Sequence, residues 1–125
     1  MPKTTVTMYR NEDGSVPLLE WLKMRAPRVQ SKCTAMIALL AEKGNELRRP
    51  YADYFRDGIY ELRPTVGRVH YRVLYCFAGA RVVLLTHGLV KTDRVPPKEI
   101  ERARECRRRF SGDPLKHTFE LRESS

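Results

Sequence analysis

The sequence predicts an α+β domain in which a helical hairpin packs on a small, mainly antiparallel sheet, with a further helix towards the C-terminus. Two observations support this fold class. Residues 59–91 read as three successive strands separated by short turns that contain glycine, which is typical of antiparallel neighbours. Residues 28–43 carry apolar side chains at the i, i+3, i+4 spacing of an amphipathic helix. The predicted order of elements is β-α-α-β-β-β-α.

The N-terminal part supplies the first strand and the helical hairpin. Residues 4–10 are rich in β-branched side chains and are predicted as a strand. Ser15 is a suitable N-cap for a helix with Pro17 in its first turn, and an alanine–proline pair ends that helix. The second helix covers residues 28–43, and Gly44 is a natural residue to stop it.

The C-terminal part supplies the sheet and the last helix. Residues 45–58 are polar and without a clear period, so we predict an irregular connection there. The turns between the three strands are predicted around residues 64–67 and 78–80. Residues 97–109 are predicted as the last helix, since apolar side chains recur along one of its faces. That face carries Ile100, Ala103, Cys106 and Phe110.

Length and charge limit the function classes. A chain of 125 residues suffices for one domain, which we place at residues 1–110, followed by a polar tail at 111–125. Lys and Arg number 24 against 15 acidic residues, which gives a net charge of +9. Such an excess predicts attraction to a polyanion: nucleic acid, an anionic membrane surface or an acidic protein. Membrane binding is the weakest of these, because no apolar run is long enough to span a bilayer.

Cysteine and histidine usage indicates neither a disulfide framework nor a metal site. The three cysteines are scattered and odd in number, so we interpret them as small buried apolar residues. The three histidines are also far apart, and the N-terminal ten residues lack the apolar segment of a signal peptide. We therefore expect a cytoplasmic protein with no metal and no small-molecule cofactor.

An arginine in the middle of the second of the three strands requires an explanation. Side chains of a strand alternate between its faces, which places Arg72 on one face with His70 and Leu74. A mid-strand arginine is costly to bury unless it is paired. One interpretation is an internal ion pair, for instance with Glu61 on the neighbouring strand, or plain exposure. The other is a guanidinium fork aimed at phosphate from an open sheet face, which the basic excess favours.

Further basic residues are predicted to gather near that face, and they favour phosphodiester chemistry. The chain has no paired carboxylates of a glycosidase, and no G-x-S-x-G, P-loop or Rossmann fingerprint. Arg and Lys can hold a scissile phosphate and stabilise the charge of its transition state. In RNA the nucleophile comes with the substrate as the 2′-OH. The candidate residues are Arg63, Arg68, His70, Arg72, His87, Lys91, Arg94 and Lys98.

Four short motifs carry a resemblance to a known family. They are Tyr60-Glu-Leu-Arg63, Tyr71-Arg-Val-Leu-Tyr75, His87-Gly-Leu-Val-Lys91 and Pro97-Lys-Glu-Ile100. In this order the chain resembles the RelE/HigB superfamily, and more narrowly the phage-derived Gp49-like, HigB-like group of toxins from type II toxin–antitoxin modules. The resemblance covers residues 4–110.

This resemblance implies an mRNA interferase, a ribosome-dependent endoribonuclease that cleaves messages and inhibits translation. Its implied partners are the ribosome, mRNA and a helix-turn-helix (HigA-like) antitoxin. Arg72 matches the family's mid-strand arginine, which is expected to contact the scissile phosphate. Arg63 matches the basic residue of the preceding strand, and Lys91 the first of a lysine pair whose second member is Thr92 here.

The remaining candidates are assigned from residue chemistry and position. His87 falls in the family's H-G pattern and is a candidate for proton transfer, as is His70. Arg94, Lys98, Arg68 and His70 are expected to contact RNA. We further expect the substitution Arg72→Ala to abolish growth inhibition and to leave the fold largely intact.

Two other functions remain open on the same scaffold. One is a non-catalytic module that binds RNA or a protein partner, suggested by Thr92 in place of the second lysine. The other is a relative that poisons gyrase, which would damage DNA and leave RNA intact. Purified protein added to translating ribosomes separates them, because only the endonuclease truncates the message.

Overall fold

A computed structural model describes residues 4–79 and 81–120. This part of the chain contains three α-helices and a seven-stranded sheet, so the predicted α+β class is confirmed. In chain order the elements are β1 (Thr5–Tyr9), α1 (Pro17–Lys23), α2 (Pro27–Lys43), β2 (Ala52–Arg56), β3 (Ile59–Leu62), β4 (Thr65–Val66), β5 (Val69–Phe77), β6 (Val82–Lys91), α3 (Pro97–Gly112) and β7 (Thr118–Glu120).

The sheet is mixed and mainly antiparallel, as predicted. Its strand order is β2-β3-β5-β6-β1-β7, and the short β4 pairs with the beginning of β5. All pairs are antiparallel except β1 and β6, which run parallel. The long strands β5 and β6 lie at the centre, so they carry most of the side chains that face the two covering layers.

Helices α1 and α2 cover one face of the sheet. The apolar stripe predicted for α2 is buried there, together with Leu18 of α1. Every second side chain of the strands packs in the same cluster, because successive side chains of a strand point to opposite faces of the sheet. Its members include Met8, Leu18, Met36, Leu40, Leu62, Val73, Tyr75 and Leu85.

Helix α3 covers part of the opposite face. Its predicted apolar face is buried against the other set of alternate side chains, from β3, β5 and β6. The three cysteines are free and buried, as interpreted from the sequence. Since α3 packs here, the face predicted to be partly open is accessible only where α3 does not reach. The buried cluster contains Tyr9, Ile59, Leu74, Cys76, Leu84, Ile100, Ala103, Cys106 and Phe110.

The beginning of α1 differs from the prediction. Ser15 is not the N-cap; that position is occupied by Val16, without a side-chain hydrogen bond. The Ser15 hydroxyl instead donates to Oδ1 of Asp13 at 2.6 Å and accepts a hydrogen bond from Nδ2 of Asn11 at 3.0 Å. Side chains of aspartate and serine often form such local hydrogen bonds in place of capping a helix, and here the Ser15 hydroxyl bonds within the turn.

The irregular connection predicted at residues 45–58 was wrong. It contains a short 3₁₀ turn, Gly44–Glu46, and the edge strand β2. Its residues mix Ala52, Tyr54 and Phe55 with Asp53 and Arg56, and the strand is stabilised by antiparallel pairing with β3.

The segment predicted as a tail is partly structured. Helix α3 runs on to Gly112, and β7 pairs antiparallel with β1, which packs Phe119 against the core below α1 and α2. Residues 121–125 and Ala80 of the second predicted turn lie outside the described residues. The domain boundary at residue 110 stays a prediction.

None of the helices in the described ranges combines the length and the apolar character needed to cross a bilayer.

Candidate functional site

Strand register brings the candidate residues to one end of the sheet face that α3 partly covers. His70, Arg72 and Leu74 alternate with the tyrosines of β5, as predicted. His70 lies directly opposite Lys91 of β6, and Glu61 of β3 lies opposite Leu74. Residues that stand opposite each other in adjacent strands point to the same face. Two groups are distinguished by access: the inner group (Glu61, Arg72, His87) and the outer group (Arg63, His70, Lys91).

Arg72 is a buried member of an ion pair. It is 2% exposed, and its Nε lies 3.1 Å from Oε1 of Glu61. Its Nη1 donates to the backbone carbonyl of Tyr71 at 2.8 Å. Of the two interpretations of this arginine, the internal pair with Glu61 is confirmed. The guanidinium does not project into an open groove, because the side chain turns along the sheet towards the neighbouring strand.

Glu61 links this buried arginine to an accessible one. Its Oε2 accepts a hydrogen bond from Nη1 of Arg63 at 3.2 Å. Burial raises the pKa of Glu61, while the charges of Arg72 and Arg63 oppose that rise. Because arginine keeps its proton in proteins, we infer that Glu61 stays ionised as the counter-ion of Arg72. Glu61 therefore fixes the positions of two guanidinium groups at once.

The charge pairing continues to the sheet edge. Nη1 of Arg63 lies 3.6 Å from Oδ2 of Asp53, and Nη2 of Arg49 lies 2.6 Å from the same oxygen. The hydrogen bond from Arg49 is the main reason that the pKa of Asp53 is lowered. Arg63 is thus held by two carboxylates, and its side chain is still 26% exposed.

His87 is buried and neutral. It is 1% exposed, and burial foremost, with a smaller contribution from the charge of Arg102, lowers its pKa to about 3. Nδ1 lies 3.1 Å from Oγ1 of Thr86, and Nε2 lies 3.7 Å from Oε2 of Glu99 in the first turn of α3. With a neutral ring the latter contact is not an ion pair. A ring this buried has no direct access to a substrate, which argues against proton transfer by His87.

The outer group is accessible. His70 is exposed, and its Nδ1 lies 3.1 Å from Oγ1 of Thr65. Lys91 is half-buried opposite His70, and its charge slightly opposes the rise in the pKa of Glu61 that burial causes. An imidazole and an ammonium group therefore lie opposite each other on neighbouring strands and on the same sheet face.

Three further predicted RNA contacts flank the outer group in the chain. Arg68 lies in the turn before β5, Arg94 in the segment after β6, and Lys98 in the first turn of α3. All three are exposed. Within residues 4–79 and 81–120 they make no ion pair, so their charges are available to a polyanion.

The four sequence motifs meet in the folded chain. Glu61 of the first motif pairs with Arg72 of the second, and His87 of the third contacts Glu99 of the fourth. The glycine of the third motif, Gly88, is required by packing, because a Cβ at this position would lie 2.4 Å from the ring of Trp21 on α1. Sequence reasoning missed Glu99 and Trp21, because nothing local indicates which distant helix packs on a given strand.

The tyrosines of the motifs pack inside the domain, as interpreted from their spacing. The rings of Tyr60 and Tyr75 stack with their centroids 5.3 Å apart, and Tyr71 meets Trp21 edge-on at 6.1 Å.

The model of one protein family, described as phage derived protein Gp49-like (DUF891), matches residues 20–108. The chain belongs to the Gp49-like family. The match contains all four motifs and both groups of the site. This family has the context of RelE-type toxins from toxin–antitoxin modules, and it implies pairing with an antitoxin. None of the curated proteins compared with the chain is similar to it.

Proposed function

We propose that this Gp49-like protein is the toxin of a type II toxin–antitoxin module and cleaves mRNA on the ribosome with the outer group. The observation that carries the proposal is the accessible cluster of Arg63, His70 and Lys91 at the uncovered end of one sheet face. Family membership and the net charge of +9 support it. In this group the exposed imidazole of His70 lies opposite the half-buried Lys91, and Arg63 keeps part of its side chain in solvent.

The chemistry requires only binding, charge stabilisation and proton transfer. The ribose 2′-OH attacks the adjacent phosphorus, a P–O2′ bond forms and the P–O5′ bond breaks. The products are a 2′,3′-cyclic phosphate and a 5′-OH. Lys91 and Arg63 stabilise the extra negative charge of the transition state. His70 is the group suited to move a proton, since imidazole gives and takes protons near neutral pH.

Arg72 has an indirect part in this scheme. Its charge balances Glu61, and Glu61 holds Arg63 in place. We therefore assign Arg72 as a positioning residue rather than as a group that touches the phosphate.

One observation favours a second candidate, a module that binds RNA or a protein partner without cleaving. The family-matched arginine and the family-matched histidine are both buried, at 2% and 1% exposure. If those two groups must reach the substrate for cleavage, this chain binds and does not cut.

The test adds purified protein to translating ribosomes and maps the 5′ ends of the message. The chain is compared with Lys91→Ala, with His70→Ala and with the control Lys32→Ala, which removes an exposed lysine from α2 on the other side of the sheet. We expect cuts within translated regions for the wild type and the control. We expect about a hundredfold loss or more for Lys91→Ala and for His70→Ala, the usual size of a general acid–base or charge-stabilising contribution.

The outcomes separate the two candidates. Intact messages with the wild type, together with binding that weakens as salt is added, favour the binding module. Cuts that persist at full rate in both the Lys91 and His70 variants contradict the assignment of the outer group as the active site.

A further inference from the structure

A row of aromatic rings crosses three strands on the sheet face that α1 and α2 partly cover. The aromatic row consists of Tyr54 on β2, Tyr60 on β3 and Phe77 on β5. The ring centroids of Tyr54 and Tyr60 are 4.8 Å apart, and those of Tyr60 and Phe77 are 5.4 Å apart. Strand register places Tyr54 opposite Tyr60 and Tyr60 opposite Tyr75, which belongs to the cluster below α1 and α2. The aromatic row therefore lies on the sheet face opposite the inner and outer groups.

The aromatic row becomes more accessible towards the sheet edge. Phe77 and Tyr60 are half-buried and pack against the core, whereas Tyr54 is 50% exposed. The ring of Tyr54 is nevertheless held in place. Its hydroxyl accepts a hydrogen bond from the backbone N–H of Gly58 at 3.0 Å, and it meets Tyr60 edge-on at 61°. A ring that is already fixed loses little conformational entropy when a ligand stacks on it.

A positive charge lies near the aromatic row. Arg48, in the segment between the 3₁₀ turn and β2, is exposed and takes part in none of the ion pairs that the described residues form. Its Nη1 donates to the backbone carbonyl of Leu47 at 3.1 Å. Its charge opposes the rise in the pKa of Tyr75 that burial causes, and the ring of Tyr75 stacks on Tyr60. The guanidinium is therefore close to the row and available to an anion.

We propose that the aromatic row binds an unpaired base of single-stranded RNA, which stacks on Tyr54 while Arg48 contacts the adjoining phosphate. Stacking on aromatic side chains beside a cation is a common way in which proteins hold single strands, because every base has a π-face. An apolar protein segment would use the rings and leave the arginine without a partner. The net charge of +9 also favours a polyanion.

The strand bound here is a second one, distinct from the strand at the outer group. The two surfaces lie on opposite faces of the sheet, so one base and its own phosphate cannot occupy both. The inference does not rest on the proposed cleavage, because it requires binding only.

The test measures the affinity of the full chain for a labelled single-stranded RNA in the absence of ribosomes. The RNA carries 2′-O-methyl groups, which remove the nucleophile and prevent cleavage. The control RNA has the same length and phosphate charge, but its central nucleotides lack bases. We expect the abasic RNA to bind at least about fivefold more weakly, which corresponds to the lower end of the contribution from one stacked base. A 2-aminopurine at the centre of the first RNA should lose fluorescence on binding, because its base becomes stacked.

Four variants assign the effect to the aromatic row. Tyr54→Leu keeps an apolar side chain but removes the ring, so it should bind both RNAs equally, whereas Tyr54→Phe should keep the preference for bases. Arg48→Ala should weaken the binding of both RNAs alike, because both carry phosphates. Met24→Ala removes a side chain that is 78% exposed at the end of α1, and it should change neither affinity.

Three results would overturn the proposal: equal affinity of the wild type for both RNAs, a preference for bases that persists in Tyr54→Leu, or no saturable binding. The effects of Tyr54→Leu and Lys91→Ala should add, since the two surfaces are independent. If Lys91→Ala alone removed the preference for bases, the stacked base would lie at the outer group and the proposal would be wrong. Cleavage on translating ribosomes is a separate measurement, so an inactive nuclease can still stack a base on Tyr54, and an active one can fail to do so.

Discussion

The inner and outer groups lie on the same sheet face, within a few residues of one another, and differ in access. Arg72 and His87 are buried, the first paired with Glu61 and the second held neutral below α3. His70 is exposed, and Arg63 and Lys91 are partly so. The difference teaches that a shared face and a matching motif do not give a shared role. The inner residues stabilise the fold, and of these two groups it is the outer one that can contact a polyanion directly.

The largest effect that would test this comparison comes from Arg72→Ala. It leaves Glu61, at 5% side-chain exposure, without its buried partner. We expect a loss of about 3–5 kcal/mol in the free energy of unfolding, measured by urea denaturation. This replaces the expectation from sequence that the fold would remain largely intact. The double substitution Arg72→Met with Glu61→Leu should recover most of the lost stability, because it removes both buried charges. A loss below about 1 kcal/mol for Arg72→Ala alone would mean that Arg72, like the outer group, contributes little to stability.

The next effect concerns the packing of α1 on β6, on the sheet face opposite the two groups. Gly88→Ala directs a Cβ into the ring of Trp21, 2.4 Å away, so α1 must shift on β6. We expect a loss of about 1–3 kcal/mol in unfolding free energy, the usual cost of overpacking. Gly79→Ala is not an equivalent control because its φ is +92°, and Gly112→Ala, with open space around it, serves better. A stable Gly88→Ala variant would mean that α1 packs loosely.

A further effect, on the pH dependence of stability, follows from the buried ring of His87. Its pKa falls from the ordinary value of 6.5 to about 3, so between these pH values the unfolded chain binds a proton that the folded chain does not. Stability therefore falls as the pH is lowered through this window, by about 1.4 kcal/mol per pH unit from this group. His87→Gln should flatten the acid limb of the unfolding free energy measured against pH. An unchanged slope in that variant would show that the ring is accessible to solvent protons.

The smallest effect on stability is expected for the outer group. Lys91→Ala should change the unfolding free energy by no more than about 0.5 kcal/mol, because the side chain makes no ion pair with the described residues. The same variant should reduce the salt dependence of RNA binding by about one phosphate contact, and Lys32→Ala should not. If Lys91→Ala lost as much stability as Arg72→Ala, Lys91 would have a structural role and the distinction between the inner and outer groups would be wrong.

Much of the fold could be predicted from the sequence, since it depends on local periodicity. The three predicted strands within residues 59–91 correspond to β3, β5 and β6, and the apolar stripe of α2 and the apolar face of α3 are present as predicted. The short β4 lies within the segment predicted as the first turn, residues 64–67, where it pairs with the beginning of β5. β2 was missed, because its residues show no clear alternation and it is stabilised by a neighbouring strand that the local sequence does not specify. The N-cap predicted at Ser15 was wrong for a local reason. The Ser15 hydroxyl donates to the carboxylate of Asp13, two residues earlier, instead of capping the helix.

The sequence by itself determined which side chains share a face. Alternation in β5 places His70, Arg72 and Leu74 together, and the motif order places Lys91 on the next strand. Only the tertiary structure decided which of these basic residues are accessible. Burial depends on segments far away in the chain, here Glu61 on β3 and the first turn of α3, and periodicity within one strand carries no information about them.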